Sequence, residues 1–207
     1  MTLIAVLDYG IGNLRSAQKA LEHVGADARL TADPGLVRDA AGVVLPGVGN
    51  FGRCMEALEQ RGLDELAIEC ACSGRPFLGV CVGMQMLYES SEETPAVPGL
   101  GVLRGVVRRL PDGVKRPQMQ WNVLARRGES GLLAGVPDPV WVYFVHSFAA
   151  DRDDHAVATC DYGGPVVAAV ESGALWATQF HPEKSGATGM RILANFVGRA
   201  VESAAAA

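Results

Sequence analysis

No apolar run in this 207-residue sequence reaches the roughly 18 residues that a bilayer-spanning helix needs, so no transmembrane segment is expected. A positively charged n-region is also missing. Met1-Thr2-Leu3-Ile4-Ala5-Val6-Leu7-Asp8 reads as a buried strand rather than a signal peptide. Basic charge is not in excess: Lys and Arg total 18 against 23 Asp and Glu, a net charge of −5. The basic residues are scattered, which argues against a nucleic-acid partner. The five cysteines, Cys54, Cys70, Cys72, Cys81 and Cys160, are an odd number. With no export signal they point to a reducing, cytoplasmic location. Cys70 and Cys72 are two apart and do not share a helix face, so they are not a metal pair, and no metal or cofactor is expected. Cys54, Cys70, Cys72 and Cys160 read as small core hydrophobes. Repeats, linkers and low-complexity inserts are absent. One domain over residues 1–203 is expected, with Ala204–Ala207 as a frayed tail.

What is present is apolar and patterned. Hydrophobic residues make 49% of the chain and charged residues 20%, which excludes disorder as the main state. A chain of this length buries about 70% of its unfolded surface. In the first half, the apolar runs Leu3–Leu7, Gly42–Leu45 and Pro76–Val80 alternate with helical spacing over Leu14–Val24, Phe51–Gln60 and Leu63–Cys72. That order implies βαβ units and a mostly parallel central sheet with helices on both faces. In the second half, Gly101–Leu110, Gln118–Leu124, Val140–Phe148, Val157–Cys160, Val166–Glu171 and Leu175–Phe180 read as strands joined by Gly or Pro turns, an antiparallel section. Met190–Val201 is the closing amphipathic helix. The fold class is α/β.

Chemistry concentrates at Gly79-Val80-Cys81-Val82-Gly83, which follows an apolar strand and opens a helix. It is the cysteine form of the G-x-S-x-G nucleophile elbow. The flanking glycines remove Cβ atoms from a tight turn, and the helix start favours a thiolate. The Val82 N–H is then set to donate to an oxyanion. The plainer reading is a buried cysteine in a packing turn. A thiol nucleophile needs a base. His23 and His155 lie in polar contexts, and His146 stands in an apolar strand as a candidate core histidine. His181 ends a strand and begins His181-Pro182-Glu183. In extended chain, residues two apart face the same side, so Glu183 lies beside the His181 ring. That is the logic of a Cys-His-acid triad. The plainer reading is a surface loop with Glu183 capping a helix.

Gly47-Val48-Gly49-Asn50-Phe51-Gly52 matches the dinucleotide pattern G-x-G-x-x-G. It follows a later strand, however, and the first βα turn has Arg15 where the third glycine belongs, which weighs against NAD. The other use of Gly47, Val48 and Gly49 is a turn whose N–H groups supply the second oxyanion donor.

These residues resemble the class I (triad) glutamine amidotransferases over nearly the whole chain. Cys81 with Met84-Gln85, and His181-Pro182-Glu183, carry the class. Asp8 to Leu14, Pro46 to Gly52, Met119-Gln120-Trp121-Asn122, Phe144 to Phe148 and Gln179 to Ser185 resemble the branch formed by glutaminase subunits of imidazole glycerol phosphate synthases. Gln120 departs from the branch, which usually has glycine there, and Phe148 stands where tyrosine is common. The resemblance implies a flavodoxin-like amidotransferase fold. It implies L-glutamine as substrate, a thioester on Cys81, His181 as acid and base, and Glu183 as its orienter. Gln85 and the backbone near Ser147 and Phe148 would hold glutamine. It also implies a heterodimer with a (βα)8-barrel cyclase that takes the ammonia, and Asn13, Trp121, Asn122 and Lys184 as candidates for the partner face. Trp121 otherwise reads as a core aromatic. Rival readings are the glutaminase of an anthranilate, aminodeoxychorismate or pyridoxal phosphate synthase, a related cysteine hydrolase, and a regulatory domain with an idle site.

Overall fold

The computed structural model describes residues 1–206. In chain order the first half is β1 (Leu3–Leu7), α1 (Leu14–His23), β2 (Asp27–Thr31), α2 (Pro34–Asp39), β3 (Gly42–Gly47), α3 (Phe51–Gln60), α4 (Asp64–Cys72), β4 (Phe77–Cys81) and α5 (Val82–Met86). The second half is β5 (Ser90–Ser91), β6 (Val106–Arg109), β7 (Gln118–Arg126), β8 (Val140–His146), β9 (Phe148–Ala150), β10 (Ala156–Asp161), β11 (Pro165–Ser172) and β12 (Leu175–Thr178). A 3-10 turn (Pro182–Lys184) and α6 (Gly186–Ala206) close it.

Nine strands form one sheet in the order β2-β1-β3-β4-β12-β11-β10-β7-β8, and β5-β6-β9 form a second. β2, β1, β3, β4 and β12 run parallel, and the pairings from β12 out to β8 are antiparallel. The continuous apolar runs of β3 and β4 are buried at every position, as strands covered on both faces require. Positions of opposite parity on β3 show both covers. A Cβ at Gly42 would meet Phe196 and Ala200 of α6, whereas one at Gly47 would meet Val82 and Gly83 of α5. The strand order reverses direction at β1, and in such sheets ligands sit beyond the carboxyl ends of the strands near that switch.

Several boundaries differ from the sequence reading for physical reasons. β2 and α2 were not anticipated. β2 is an edge strand with Asp27 and Arg29 in it, and α2 is six residues long with Pro34 leading and Asp33 capping Gly35. Gly101–Leu110 shortens to β6 because Gly101 (φ 64°) and Gly105 (φ 121°) take left-handed backbone that a strand does not. The run Val140–Phe148 divides at Ser147, where the chain leaves the large sheet for the small one. α6 continues through Ala206, three residues into the stretch expected to fray, as alanine's helix propensity favours. Ala207 lies outside the described residues.

Candidate active site

The carboxyl ends of β1, β3, β4 and β12 deliver four segments to one cavity of about 580 Å³. Gly12 and Asn13 follow β1, Val48 and Gly49 follow β3, Cys81 ends β4, and His181 follows β12; Val82 and Gln85 of α5, with Ser147 and Phe148, complete much of the wall. Cys81 is the one non-glycine residue with positive φ among the described residues (φ 56°, ψ −112°), so the elbow is strained as the motif requires. Gly47 pairs in register with Cys81, and a Cβ there would come 2.7 Å from the Gly83 nitrogen. A Cβ at Gly83 would run into the Leu45 carbonyl oxygen. Both glycines therefore let the elbow and the β3 turn touch backbone to backbone. Gly47 does not line the cavity, so the turn offers Val48 and Gly49 there instead. α5 is only five residues long, so the expected contribution of a helix dipole shrinks to a few free N–H groups.

His181 and Glu183 meet: Nδ1 lies 2.7 Å from Glu183 Oε1, and both side chains are buried. The reach is made differently from the expectation. His181 is extended, but Pro182–Lys184 curls into the 3-10 turn that folds Glu183 back under the ring. The Cys81 sulfur sits beside His181 without hydrogen-bond geometry to it, leaving Nε2 unpaired. Burial alone would lower the His181 pKa. The neighbouring Cys81 and Glu183 side chains overcome burial and raise it to about 9. For Glu183, burial pushes upward, but His181 and Asn13 win and hold its carboxyl below the ordinary value.

Asn13 was expected on a partner face. Both it and Lys184 line the cavity, and its Nδ2 donates to Glu183 Oε1 at 3.3 Å. Asn122 Nδ2 donates to Asp161 O at 2.9 Å on the adjacent strand, and Asn122 does not line the cavity. Trp121 is 48% exposed, which overturns the core-aromatic reading. His146 is a core histidine. Nδ1 lies 2.9 Å from Phe148 O and Nε2 3.0 Å from the Gln118 side-chain amide, and burial lowers its pKa to about 4.

Four further residues, none of them singled out as a site residue from the sequence, stand at or beside the cavity. Glu93 brings a carboxylate to the cavity wall, where Oε2 accepts from Phe51 N at 2.7 Å. Gln179 reaches the Cys81 sulfur. Met119 and Trp141 stand 62% and 47% exposed on the same hairpin face as Trp121. Glu93 and Gln179 were hidden because each is distant in sequence from the residue it serves. The signal for the hairpin face was the spacing of Met119 and Trp121, two apart on β7.

A buried cysteine on a strained elbow and a buried histidine–glutamate pair beside it open onto a cavity of small-molecule size, an arrangement that suits amide hydrolysis. The chain belongs to the family Glutamine amidotransferase class-I, whose family model matches residues 5–200. A crystal structure of a glutamine amidotransferase, 21% identical, shares the fold with a TM-score of 0.75 over 96% of this chain and 98% of its own. Sequence relatives narrow the family. The imidazole glycerol phosphate synthase subunit HisH of Symbiobacterium thermophilum is 46% identical, covering 97% of this chain and 95% of its own length. The protein of the same name from Methanothermobacter thermautotrophicus is 48% identical over 94% of this chain and 98% of its own. Within the class, the chain is a member of that subunit family.

Proposed function

We propose that this chain is the glutaminase subunit of an imidazole glycerol phosphate synthase, with Cys81, His181 and Glu183 as its triad. The juxtaposition of Cys81 with the buried His181–Glu183 pair at 2.7 Å carries the reading. Cys81 gives its proton to His181 Nε2, and the sulfur attacks the side-chain amide carbon of L-glutamine. The N–H of Val82 and one from the Val48–Gly49 turn stabilise the oxyanion. His181 returns the proton to the departing nitrogen, which leaves as ammonia, and a thioester remains on Cys81. Water then attacks the thioester, giving its proton to His181. The carbon–sulfur bond breaks, the proton passes back to sulfur, and glutamate leaves. Gln85 and the backbone at Ser147 and Phe148 hold the glutamine, and Glu93 offers a carboxylate to its α-ammonium.

The ammonia is used by a (βα)8-barrel cyclase that docks on the apolar hairpin face of Met119, Trp121 and Trp141. That face adjoins the cavity through Val145, the register partner of Met119. The products are imidazole glycerol phosphate, for histidine synthesis, and aminoimidazole carboxamide ribonucleotide. All five cysteines are free, in keeping with a cytosolic setting.

The test is glutamate release by the purified chain, alone and with the cyclase and its nucleotide ligand, with Cys81→Ala as control. Stimulation by the liganded cyclase that vanishes in Cys81→Ala supports the reading. Turnover without stimulation moves the chain to another synthase, and turnover by Cys81→Ala refutes the triad.

A further inference from the structure

The Cys81 sulfur has a second polar neighbour besides His181. Gln179 is fully buried at the end of β12, and its Nε2 lies 3.8 Å from Cys81 Sγ. The same amide accepts from Gln85 Nε2 at 3.0 Å through Oε1. Gln85 Nε2 also donates to the Phe148 backbone carbonyl at 2.8 Å. A carbonyl oxygen accepts and never donates, so the polarity of this chain runs one way. Phe148 O fixes the NH2 end of Gln85 toward itself and Gln179. That fixes Oε1 of Gln179 toward Gln85, and Gln179 is left with its NH2 facing sulfur. Gln179 and His181 are two apart where the chain bends after β12, and both side chains come to the Cys81 sulfur.

We propose, building on the triad reading above, that Gln179 is a further catalytic residue: its amide N–H hydrogen-bonds the Cys81 sulfur and favours the thiolate over the thiol. An N–H that is not acidic moves no proton. It stabilises negative charge on sulfur twice in the cycle, before attack on the amide and again when the thioester breaks. A buried amide without partners is costly, and an apolar side chain of similar size would fill the same space. Both ends of Gln179 are instead engaged, one by a donor whose direction the backbone dictates and the other by the nucleophile.

The experiment is the pH dependence of Cys81 alkylation by iodoacetamide, located by mass spectrometry, in the full chain and in Gln179→Leu and Gln179→Glu. Loss of a neutral hydrogen bond to a developing charge corresponds to about a five- to tenfold change. Gln179→Leu is expected to move the alkylation curve to higher pH, slowing the reaction five- to tenfold on the acid limb. The plateau at high pH stays unchanged. Gln179→Glu, which keeps size and polarity but sets an acceptor against sulfur, is expected to move it further. Gln179→Glu also serves if Gln179→Leu does not fold. A role confined to packing would leave the midpoint in place, and a wild-type midpoint in the folded variants overturns the proposal. The triad reading fails separately, if Cys81→Ala retains turnover.

Discussion

Asn13 and His181 share one oxygen: Glu183 Oε1 takes the Asn13 amide at 3.3 Å and faces the His181 ring nitrogen at 2.7 Å. Asn13 stands at the N-terminal cap of α1 and makes no side-chain cap, while its Nδ2 reaches across the fold to Glu183. Asn13→Ala is therefore expected to lower kcat/KM about tenfold, in line with about 1.5 kcal/mol, the low end for a hydrogen bond to a charged partner. The thermal midpoint should fall only by the loss of that one hydrogen bond, since no cap is lost. Asn13→Asp sets a second carboxylate against Glu183 and should cost at least tenfold. Steady-state glutaminase kinetics with melting curves check both.

The pH profile of turnover follows from the imidazolium. His181 must still carry its proton when the amide nitrogen leaves, and its pKa of about 9 keeps it charged through neutrality. The alkaline limb of kcat/KM should therefore fall near pH 9. Glu183→Gln removes one of the two neighbours that raise this pKa. The limb should then move to lower pH, with the maximum reduced because orientation is also weakened. A limb that stays near pH 9 in Glu183→Gln would reject this account.

The parallel half of the fold was legible because β1, β3 and β4 are unbroken apolar runs and their helices carry clear periodicity. Cys81, His181 and Glu183 were legible because glycines, a proline and a fixed spacing bracket them. What stayed hidden shares one physical feature: it depends on where distant segments meet. Nothing local in Phe144–Phe148 marks the change of sheet at Ser147. Nothing local at Asn13 separates a helix cap from a contact with Glu183. Asn122 and Trp121 are adjacent in sequence, and only the pleat of β7, together with the neighbouring β10, sends one to Asp161 and the other to solvent.

Two buried histidines bend the stability curve in opposite directions. His146, with a folded pKa of about 4 against an ordinary 6.5, contributes stability above pH 6.5 that is lost as pH falls toward 4. His181, raised to about 9, contributes stability below pH 6.5 that is lost as pH rises through 9. The thermal midpoint should peak near pH 6.5 and fall on both sides. His146→Gln should flatten the slope between pH 6.5 and 5, leaving the alkaline slope intact, and calorimetry across this range reads both.

Backbone strain at Cys81 predicts an inversion of the usual rule that glycine destabilises. Cys81 holds φ 56° and ψ −112°, a region in which a Cβ is unfavourable by about 1–3 kcal/mol. Cys81→Ala keeps that Cβ, and Cys81→Gly removes it. Both should be inactive, and Cys81→Gly should melt several degrees above Cys81→Ala. Equal midpoints would mean that the elbow is relaxed around the alanine.

Trp121 and Asn122 separate partner binding from folding. Trp121 packs edge-on to Tyr143 at 6.1 Å between ring centres and is half exposed, with Met119 and Trp141 on the same face. An exposed aromatic in an apolar patch beside a cavity mouth is the kind of side chain that dominates an interface. Trp121→Ala should weaken binding of the cyclase partner by tenfold or more and leave the melting temperature of the isolated chain within a degree or two. Asn122→Ala should do the reverse. It removes the hydrogen bond to Asp161 O inside the sheet and should lower the midpoint, while the dissociation constant changes little. Titration calorimetry with the cyclase and melting of each variant alone decide the matter. An unchanged dissociation constant for Trp121→Ala would remove this hairpin face from the interface.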